Sequence, residues 1–253
     1  RRERSTRVPA ALAAAEGSAA HGGPKAAAAL LGRVLASGPL LPQEAELLRE
    51  RVRFLGDAGE KIPARSLAAA AAQRHPGQAR FQEILGFALE RSGAPPEELK
   101  RTYQRALELS PELPRAEIAL GLLAARGGAL EEARRHAERV WAASAALDST
   151  QELDLAQLIV LVDRSADAER RLAAALREHP EDGAIAGRLA ALRLERGISD
   201  DETLSLARRA QRFRAPGSAE ILARVNDARG ELSPEPAPAP ASDPPPPPPE
   251  RGE

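Results

Sequence analysis

The fold is decided between Arg80 and Ala145, where the chain reads RFQEILGFALERSGAPPEELKRTYQRALELSPELPRAEIALGLLAARGGALEEARRHAERVWAASA. One pattern is written twice in this stretch. Each copy has a Leu-Gly pair in a first helical segment, at Leu85-Gly86 and at Leu120-Gly121, followed by a turn and a second helical segment. The copies are offset by about 35 residues, a period that is typical of stacked helix hairpins and not of one globular core.

The same register extends beyond these two copies. The first-helix position recurs at Val52, Gly86, Gly121, Ala156 and Ala190. The second-helix positions recur with constant internal spacing in five runs, namely Ala64-Ala68-Ala71-Pro76, Leu99-Tyr103-Ala106-Pro111, Ala133-Ala137-Val140-Ala145, Ala168-Leu172-Ala175-Pro180 and Thr203-Ala207-Ala210-Ala215. The sequence therefore predicts five consecutive hairpins within residues 43–217.

This pattern, Leu-Gly in one helix and small or aromatic residues before a proline in the next, resembles the tetratricopeptide repeat (TPR) family. The resemblance implies an all-α fold, a right-handed α-solenoid of stacked antiparallel helix hairpins. It also implies that Gly86 and Gly121 lie where Ala106 and Ala137 of the next helix approach closely. The chain departs from the family pattern in lacking its first-helix tryptophan, and Val52 replaces the small residue in the first copy.

Four further segments flank the hairpins. Residues 1–8 are predicted to be a flexible basic tail. Residues 9–42 are predicted to be helical, with a break at Gly22-Gly23, and are a candidate degenerate leading repeat. Residues 218–231 have an amphipathic pattern and are predicted to be a capping helix. Residues 232–253 contain Pro244 to Pro249 and are predicted to be a disordered Pro-rich tail, which serves as a linker or as a proline-motif ligand.

Two short stretches predict helix starts. Ser149-Thr150-Gln151-Glu152 and Ser199-Asp200-Asp201-Glu202 each have the pattern of a capping box. In that motif the first side chain accepts a hydrogen bond from the backbone of the fourth residue, whose side chain bonds back. We therefore expect helices to begin at Ser149 and at Ser199.

The amino-acid composition limits the functions that this chain can have. Hydrophobic residues make up 43% of the chain but aromatic residues only 2%, so alanine and leucine must build the core. The formal net charge is −1, which favours no attraction to nucleic acid or to an anionic membrane. No stretch approaches the roughly 20 apolar residues of a membrane span. The Ala, Arg, Pro and Leu bias indicates a GC-rich, bacterial source, and the compartment, cytoplasmic or periplasmic, stays open.

The sequence predicts no catalytic residue, no metal site and no cofactor. It has no cysteine, which excludes thiol chemistry and disulfides. His75 and His179 occupy equivalent joints of distant hairpins, where they cannot meet on one metal ion. Neither a phosphate-binding glycine loop nor a metalloprotease or nucleophile motif occurs. We therefore expect a protein that is not an enzyme.

The family resemblance implies a concave groove lined by the first helices, at positions four residues apart. In this chain the lining residues are Arg49, Arg53, Glu83, Phe87, Arg91, Ile118, Leu122, Arg126, Leu153 and Gln157. Such a groove suits an amphipathic or extended protein segment whose acids pair with Arg49, Arg53 and Arg126. The alternative is that Phe87 and Leu122 only pack against neighbouring helices. The family's Lys/Asn clamp for a C-terminal carboxylate is absent from the pattern.

Three functional interpretations follow. The leading one is a non-catalytic protein-protein interaction scaffold that binds a partner segment in its concave groove, within an assembly or biogenesis complex. The second is an excised repeat arm of a larger multidomain enzyme or regulator. The third is a self-assembly module that uses Trp141 on an outer helix, although Trp141 equally suits a joint between repeats. The oligomeric state stays open.

Overall fold

The computed structural model of the protein describes residues 2–36, 45–143 and 147–230. These residues form twelve α-helices and no strand, so the all-α prediction is confirmed. The helices are α1 (Arg2–Ala36), α2 (Ala45–Asp57), α3 (Lys61–Arg74), α4 (Ala79–Ser92), α5 (Pro96–Leu109), α6 (Pro114–Arg126), α7 (Leu130–Ala142), α8 (Ser149–Leu161), α9 (Ser165–Glu178), α10 (Gly183–Glu195), α11 (Asp201–Arg212) and α12 (Ser218–Ala228). The chain divides into two compact units, Arg1–Arg164 (unit 1) and Ser165–Glu253 (unit 2).

Unit 1 begins with a kinked helix. Helix α1 starts at Arg2, where the sequence favoured a flexible tail over residues 1–8. It is interrupted at Gly23, whose φ of 78° and ψ of 174° are not helical, and Pro24 opens the second stretch. The break falls within the Gly22-Gly23 pair because glycine adopts positive φ without strain and proline suits a first helical turn. Helix α1 packs on α2.

The other helices of unit 1 form hairpins in chain order. Helix α2 packs on α3, α4 on α5, and α6 on α7, and the first helix of each hairpin also contacts the first helix of the next, from α2 through α4 and α6 to α8. The first helices of unit 1 therefore make one continuous layer. That layer carries the residues expected to bind a partner.

Burial confirms the register predicted from the repeats. The first-helix position is buried in all five copies, at Val52, Gly86, Gly121, Ala156 and Ala190. The three second-helix positions before the terminal proline or alanine are also buried in every copy, at Ala64, Ala68, Ala71, Leu99, Tyr103, Ala106, Ala133, Ala137, Val140, Ala168, Leu172, Ala175, Thr203, Ala207 and Ala210. The core is therefore made chiefly of small aliphatic side chains.

Close packing is present at the crossing glycines. A Cβ added at Gly86 would lie 2.5 Å from Cε1 and Cζ of Tyr103. One added at Gly121 would lie 2.5 Å from Cδ2 of Leu158 and 3.0 Å from Cβ of His136. The nearest atoms at these glycines therefore belong to Tyr103, Leu158 and His136, and the close approach of Ala106 and Ala137 stays a prediction.

Aspartates cap the two helix starts that the sequence marked with serines. Asp148 precedes α8 and accepts a hydrogen bond from the N–H of Gln151 at 2.9 Å, and the Gln151 side chain completes a capping box. Asp200 precedes α11 and accepts from the N–H of Thr203 at 2.9 Å. The caps are thus one residue before Ser149 and one after Ser199, because a carboxylate is favoured at the positive end of a helix.

Unit 2 is organised around Arg193 of α10, a helix that contacts α9, α11 and α12. Nε of Arg193 donates to Oγ1 of Thr203 at 2.9 Å, and Nη1 donates to Oε1 of Glu169 at 2.7 Å. Nη2 lies 2.8 Å from Oδ2 of Asp200 and 3.0 Å from Oε2 of Glu202. All three guanidinium nitrogens therefore have acceptors, and the cluster joins α9, α10 and α11.

Helix α12 ends the described part of unit 2. It occupies most of the segment predicted to cap the array, and its role as a cap stays a prediction. Nη2 of Arg229, just after the helix, donates to Oδ1 of Asp201 at 2.8 Å, and its Nη1 donates to the carbonyl of Ser199 at 3.1 Å. The predicted Pro-rich tail lies outside the described residues, as do positions 37–44.

None of the helices in the described part of the chain combines the length and hydrophobicity that a membrane crossing needs.

Candidate functional site

A groove runs over the first-helix layer of unit 1. It encloses about 710 Å³ and is lined by residues of α4, α5, α6 and α8. The residues that line this central groove include Phe87, Glu90, Arg91, Leu99, Arg115, Ala119, Leu122, Leu123, Arg126, Thr150 and Asp154. Four of the ten residues proposed from the sequence line it, namely Phe87, Arg91, Leu122 and Arg126. Arg49, Arg53, Glu83, Ile118, Leu153 and Gln157 do not.

The apolar part of the groove is deep. Phe87 and Leu122 are each 8% exposed, and Ile118 is 2% exposed. The ring of Phe87 is covered by two guanidinium groups, with Cζ of Arg115 at 4.5 Å and Cζ of Arg91 at 5.6 Å from its centroid. Phe87 and Leu122 therefore form the floor of the groove under charged side chains, and Ile118 is a core residue.

Arg49 bridges distant parts of unit 1. Its Nη2 lies 2.9 Å from Oδ2 of Asp148, the residue that caps α8 and lies 99 positions away in the sequence. Burial alone would raise the pKa of Asp148, but the N–H of Gln151 and the guanidinium of Arg49 lower it. This ion pair links the start of the first-helix layer to its last helix in unit 1.

The other basic residues of the first hairpins also have acidic partners. Arg53 lies 2.6 Å from Glu16, 2.6 Å from Glu50 and 3.5 Å from Asp57. Arg91 pairs with the second carboxylate oxygen of Asp57. Of the three arginines expected to meet the acids of a partner, Arg49 and Arg53 are therefore already paired within unit 1, whereas Arg126 is exposed at the groove.

Arg115 is the charged groove residue that the sequence reasoning missed. It lies in the first turn of α6 and is only 7% exposed. Its Nη2 donates to Oε2 of Glu90 at 3.0 Å, while Nε and Nη1 are buried without a hydrogen-bond partner. Arg115 precedes Ile118 by three positions and so shares its helix face. That spacing of three residues was the available signal in the sequence, and a pattern of positions four residues apart does not include Arg115.

Carboxylates surround Arg115. Burial raises the pKa of Glu83, of Glu90 and of Asp154, and the charge of Arg115 opposes the rise in each case. Glu83 and Asp154 have no hydrogen bond or ion pair within the described residues, whereas Glu90 has Arg115. Arg49 and Arg80 oppose the rise for Glu83 as well, and Arg126 opposes it for Asp154, so several cations share these acids.

A separate polar cluster around Glu117 lies between α6 and α7. Nδ1 of His136 contacts Oε2 of Glu117, and Nη1 of Arg139 lies 3.3 Å from Oε1 of the same carboxylate. Burial would raise the pKa of Glu117, but His136 and Arg139 lower it. His136 therefore has a structural partner on the neighbouring helix. The described residues contain no group of three or more potential ligands arranged to hold a metal ion.

Trp141 is the exposed aromatic residue of α7. Its exposed fraction is 39%, so it is partly packed and partly accessible to a partner. The geometry therefore leaves both interpretations of Trp141 available.

No family model and no curated protein sequence matches the chain. Solved structures, in contrast, are similar to this chain. A chain in the crystal structure of the APC/C hetero-tetramer Cut9-Hcn1 is similar over 81% of this chain, with a TM-score of 0.64 and 14% identity. The match spans 40% of that longer chain.

Two bacterial structures match over most of their own length. A thermophilic TPR protein of Thermus thermophilus is 22% identical, with a TM-score of 0.58, and the match covers 74% of this chain and 98% of that one. A tetratricopeptide repeat protein from Parabacteroides merdae is 16% identical, with a TM-score of 0.54, and the match covers 89% and 88%. The chain therefore has the fold of the tetratricopeptide repeat proteins.

Proposed function

We propose that the protein is an interaction scaffold and that the central groove of unit 1 binds a segment of a partner protein. The observation that carries this proposal is the groove itself, which encloses about 710 Å³ over the first-helix layer, with Phe87 and Leu122 as its floor and the exposed Arg126 and Thr150 at its rim.

The groove suits an extended segment. Such a segment can reach the polar side chains of the rim, whereas Phe87 and Leu122 lie beneath them. The accessible rim is formed by Arg126 and Thr150, both exposed. This proposal assigns the face a binding role and no catalytic step. A role in an assembly or biogenesis complex stays a prediction.

Site-specific photo-crosslinking tests the location of binding. A benzoylphenylalanine is placed at Arg126 or Thr150 on the rim, or at Arg101 or Arg105, which are exposed on the second helix α5. All four positions are accessible, so the substitutions are matched in their effect on folding. We expect a partner from the source lysate to crosslink at Arg126 and Thr150 only. Equal adducts at Arg101 and Arg105 would contradict the proposal.

Self-association is a second candidate, and the exposure of Trp141 is the observation that favours it. A dimer held by this residue would dissociate in the Trp141→Glu variant. Sedimentation velocity over a hundredfold range of concentration separates the two candidates. A monomer at all concentrations removes self-association and leaves the scaffold.

A further inference from the structure

We propose that a second groove, in unit 2, binds the acidic segment of the same chain that runs from Glu231 to Asp243. This second-helix groove encloses about 740 Å³ and is lined by residues of α9, α10 and α11. The segment lies outside the described residues and follows α12 in the sequence. The second-helix groove is a different surface from the central groove of unit 1, so this binding does not depend on the proposed function.

The first observation is that positive charge at this groove is accessible and unpaired. The charged residues that line it are all exposed, namely Arg170, Arg177, Arg209 and Glu202. Arg170 pairs with Asp167, and Glu202 lies 3.0 Å from Arg193, which does not line the groove. Arg177 and Arg209 have no ion pair within the described residues. Both guanidinium groups can therefore bind acidic side chains without displacing an existing ion pair.

The second observation is a separation of charge along the chain. Residues 203–219, which include most of α11, contain no acidic residue and four basic ones, namely Arg208, Arg209, Arg212 and Arg214. Residues 231–250 contain no basic residue and four acidic ones, namely Glu231, Glu235, Asp243 and Glu250. The two stretches are therefore electrostatically complementary, which favours contact between them.

The third observation is the place where the described chain ends. Nη2 of Arg229 donates to Oδ1 of Asp201 at 2.8 Å, and its Nη1 donates to the carbonyl oxygen of Ser199 at 3.1 Å. The segment therefore starts beside the beginning of α11, where Glu202 lines the groove. From Asp201 to Arg209 the helix rises about 12 Å. Residues 231–243 would span about 40 Å when extended, so they can follow the whole groove.

The prolines of the segment suit it to binding along a groove. Pro234, Pro236, Pro238 and Pro240 favour an extended backbone and remove N–H groups that would need acceptors on the groove surface. Exposed ion pairs are individually weak, so a separate peptide with these few acids would bind poorly. Within one chain the effective concentration is on the order of millimolar, which favours the bound state.

Disulfide trapping in the full chain tests the inference, because the chain has no cysteine and each introduced pair supplies the only thiols. Ala239→Cys is combined either with Ser205→Cys, in the groove, or with Gln211→Cys, which is exposed on α11 and does not line the groove. Mass spectrometry identifies the disulfides formed under a mild oxidant. We expect the Ser205→Cys pair to form its intrachain disulfide about tenfold faster, because binding raises the local thiol concentration.

Two variants with the same change of charge show whether the groove arginines hold the segment. Arg177→Glu with Arg209→Glu should lower the trapping rate of the Ser205→Cys pair to that of the Gln211→Cys pair. Arg208→Glu with Arg212→Glu makes the same change at exposed positions of α11 outside the groove lining and should retain most of the rate. Thermal unfolding shows whether each variant is folded, and Arg177→Gln with Arg209→Gln replaces the charge reversal if that variant is not.

Three outcomes would overturn the inference. Equal trapping at the two α11 positions would mean that the segment has no preferred contact with the groove. Trapping that persists after the charge reversal, or in about 1 M salt where charges are screened beyond about 3 Å, would mean that the arginines do not hold it. Disulfides between two chains instead of within one would show that the segment binds a second copy. None of these outcomes changes the proposal for the central groove of unit 1.

Discussion

Two buried arginines, Arg193 in unit 2 and Arg115 in unit 1, differ in how completely they are paired. Their side chains are similarly hidden, with 12% and 8% exposed. Arg193 has acceptors for Nε, Nη1 and Nη2, whereas only Nη2 of Arg115 has one. A guanidinium whose donors are all paired holds helices together, whereas buried donors without acceptors leave part of the cost of burial uncompensated. This difference separates a fully paired arginine cluster from an incompletely paired one.

Among the substitutions that test this comparison, Arg193→Met should have the largest effect on the free energy of unfolding. The substitution leaves the largely buried carboxylate of Glu169 with Arg196 as its remaining ionic partner and leaves Thr203 without its donor. We expect the free energy of unfolding to fall by about 3 kcal/mol. Urea unfolding followed by circular dichroism measures it, with Arg209→Met, an exposed change on α11, as the control. A loss below about 1 kcal/mol would show that the cluster is not structural.

The same substitution at Arg115 should have a smaller effect. Arg115→Met removes one ion pair with the half-buried Glu90, but it also removes two unpaired buried donors, and these contributions oppose each other. We expect a loss of about 1.5 kcal/mol in the same urea experiment. A loss as large as that for Arg193→Met would mean that both clusters serve stability alike.

The two capping aspartates extend the comparison, because each also forms an ion pair with an arginine. Asp148 pairs with Arg49 and Asp200 pairs with Arg193. Replacing either aspartate by alanine removes a helix cap, and we expect each change to lower stability by about 1 kcal/mol. The pKa of each carboxyl is lowered, so this contribution should be lost as the pH falls below about 4. Chemical unfolding of the wild type and of each alanine variant at pH 7 and pH 3 tests both statements. If the alanine variants lose as much stability at pH 3 as at pH 7, the predicted pH dependence is wrong.

The smallest effect expected is a pH dependence of unit 1 with the opposite sign. Burial raises the pKa of Glu83 and of Asp154, so the folded state binds more protons than the unfolded state just above the ordinary carboxyl pKa. Stability from this source should therefore fall as the pH rises from about 4. The double variant Glu83→Gln, Asp154→Asn should flatten this slope in unfolding experiments between pH 4 and pH 7. If the pH dependence of stability is the same in the double variant and in the wild type, burial does not raise the pKa of these two carboxyls.

Repeat spacing predicted the architecture well because it is a local property. The position shared by Val52 and Gly86 and the run from Leu99 to Ala106 were placed in the core by periodicity alone, and they are buried. The neighbours of Gly86 were not predicted, since the reach of the Tyr103 ring depends on how two helices cross. The helix caps were misplaced by one residue, because serine and aspartate both suit that position.

The candidate site was only partly predictable. Phe87 and Leu122 were found because they share the helix face next to the repeat positions. Arg115 was missed, and the free basic charge assigned to Arg49 and Arg53 turned out to have partners in unit 1. Charge balance depends on which side chains meet in space, and spacing along one helix does not contain that information.

The sequence by itself determined the helix hairpins, their register and the small residues at their crossings, because each is set by contacts within about 35 residues and repeats with that period. Only the tertiary structure decided which charges are paired. Asp148 reaches Arg49 across 99 positions, and Arg115 lies among carboxylates from several helices with two donors unpaired. An ion pair is selected by distance and burial after the helices have packed, so which charges of the groove are paired follows from the fold.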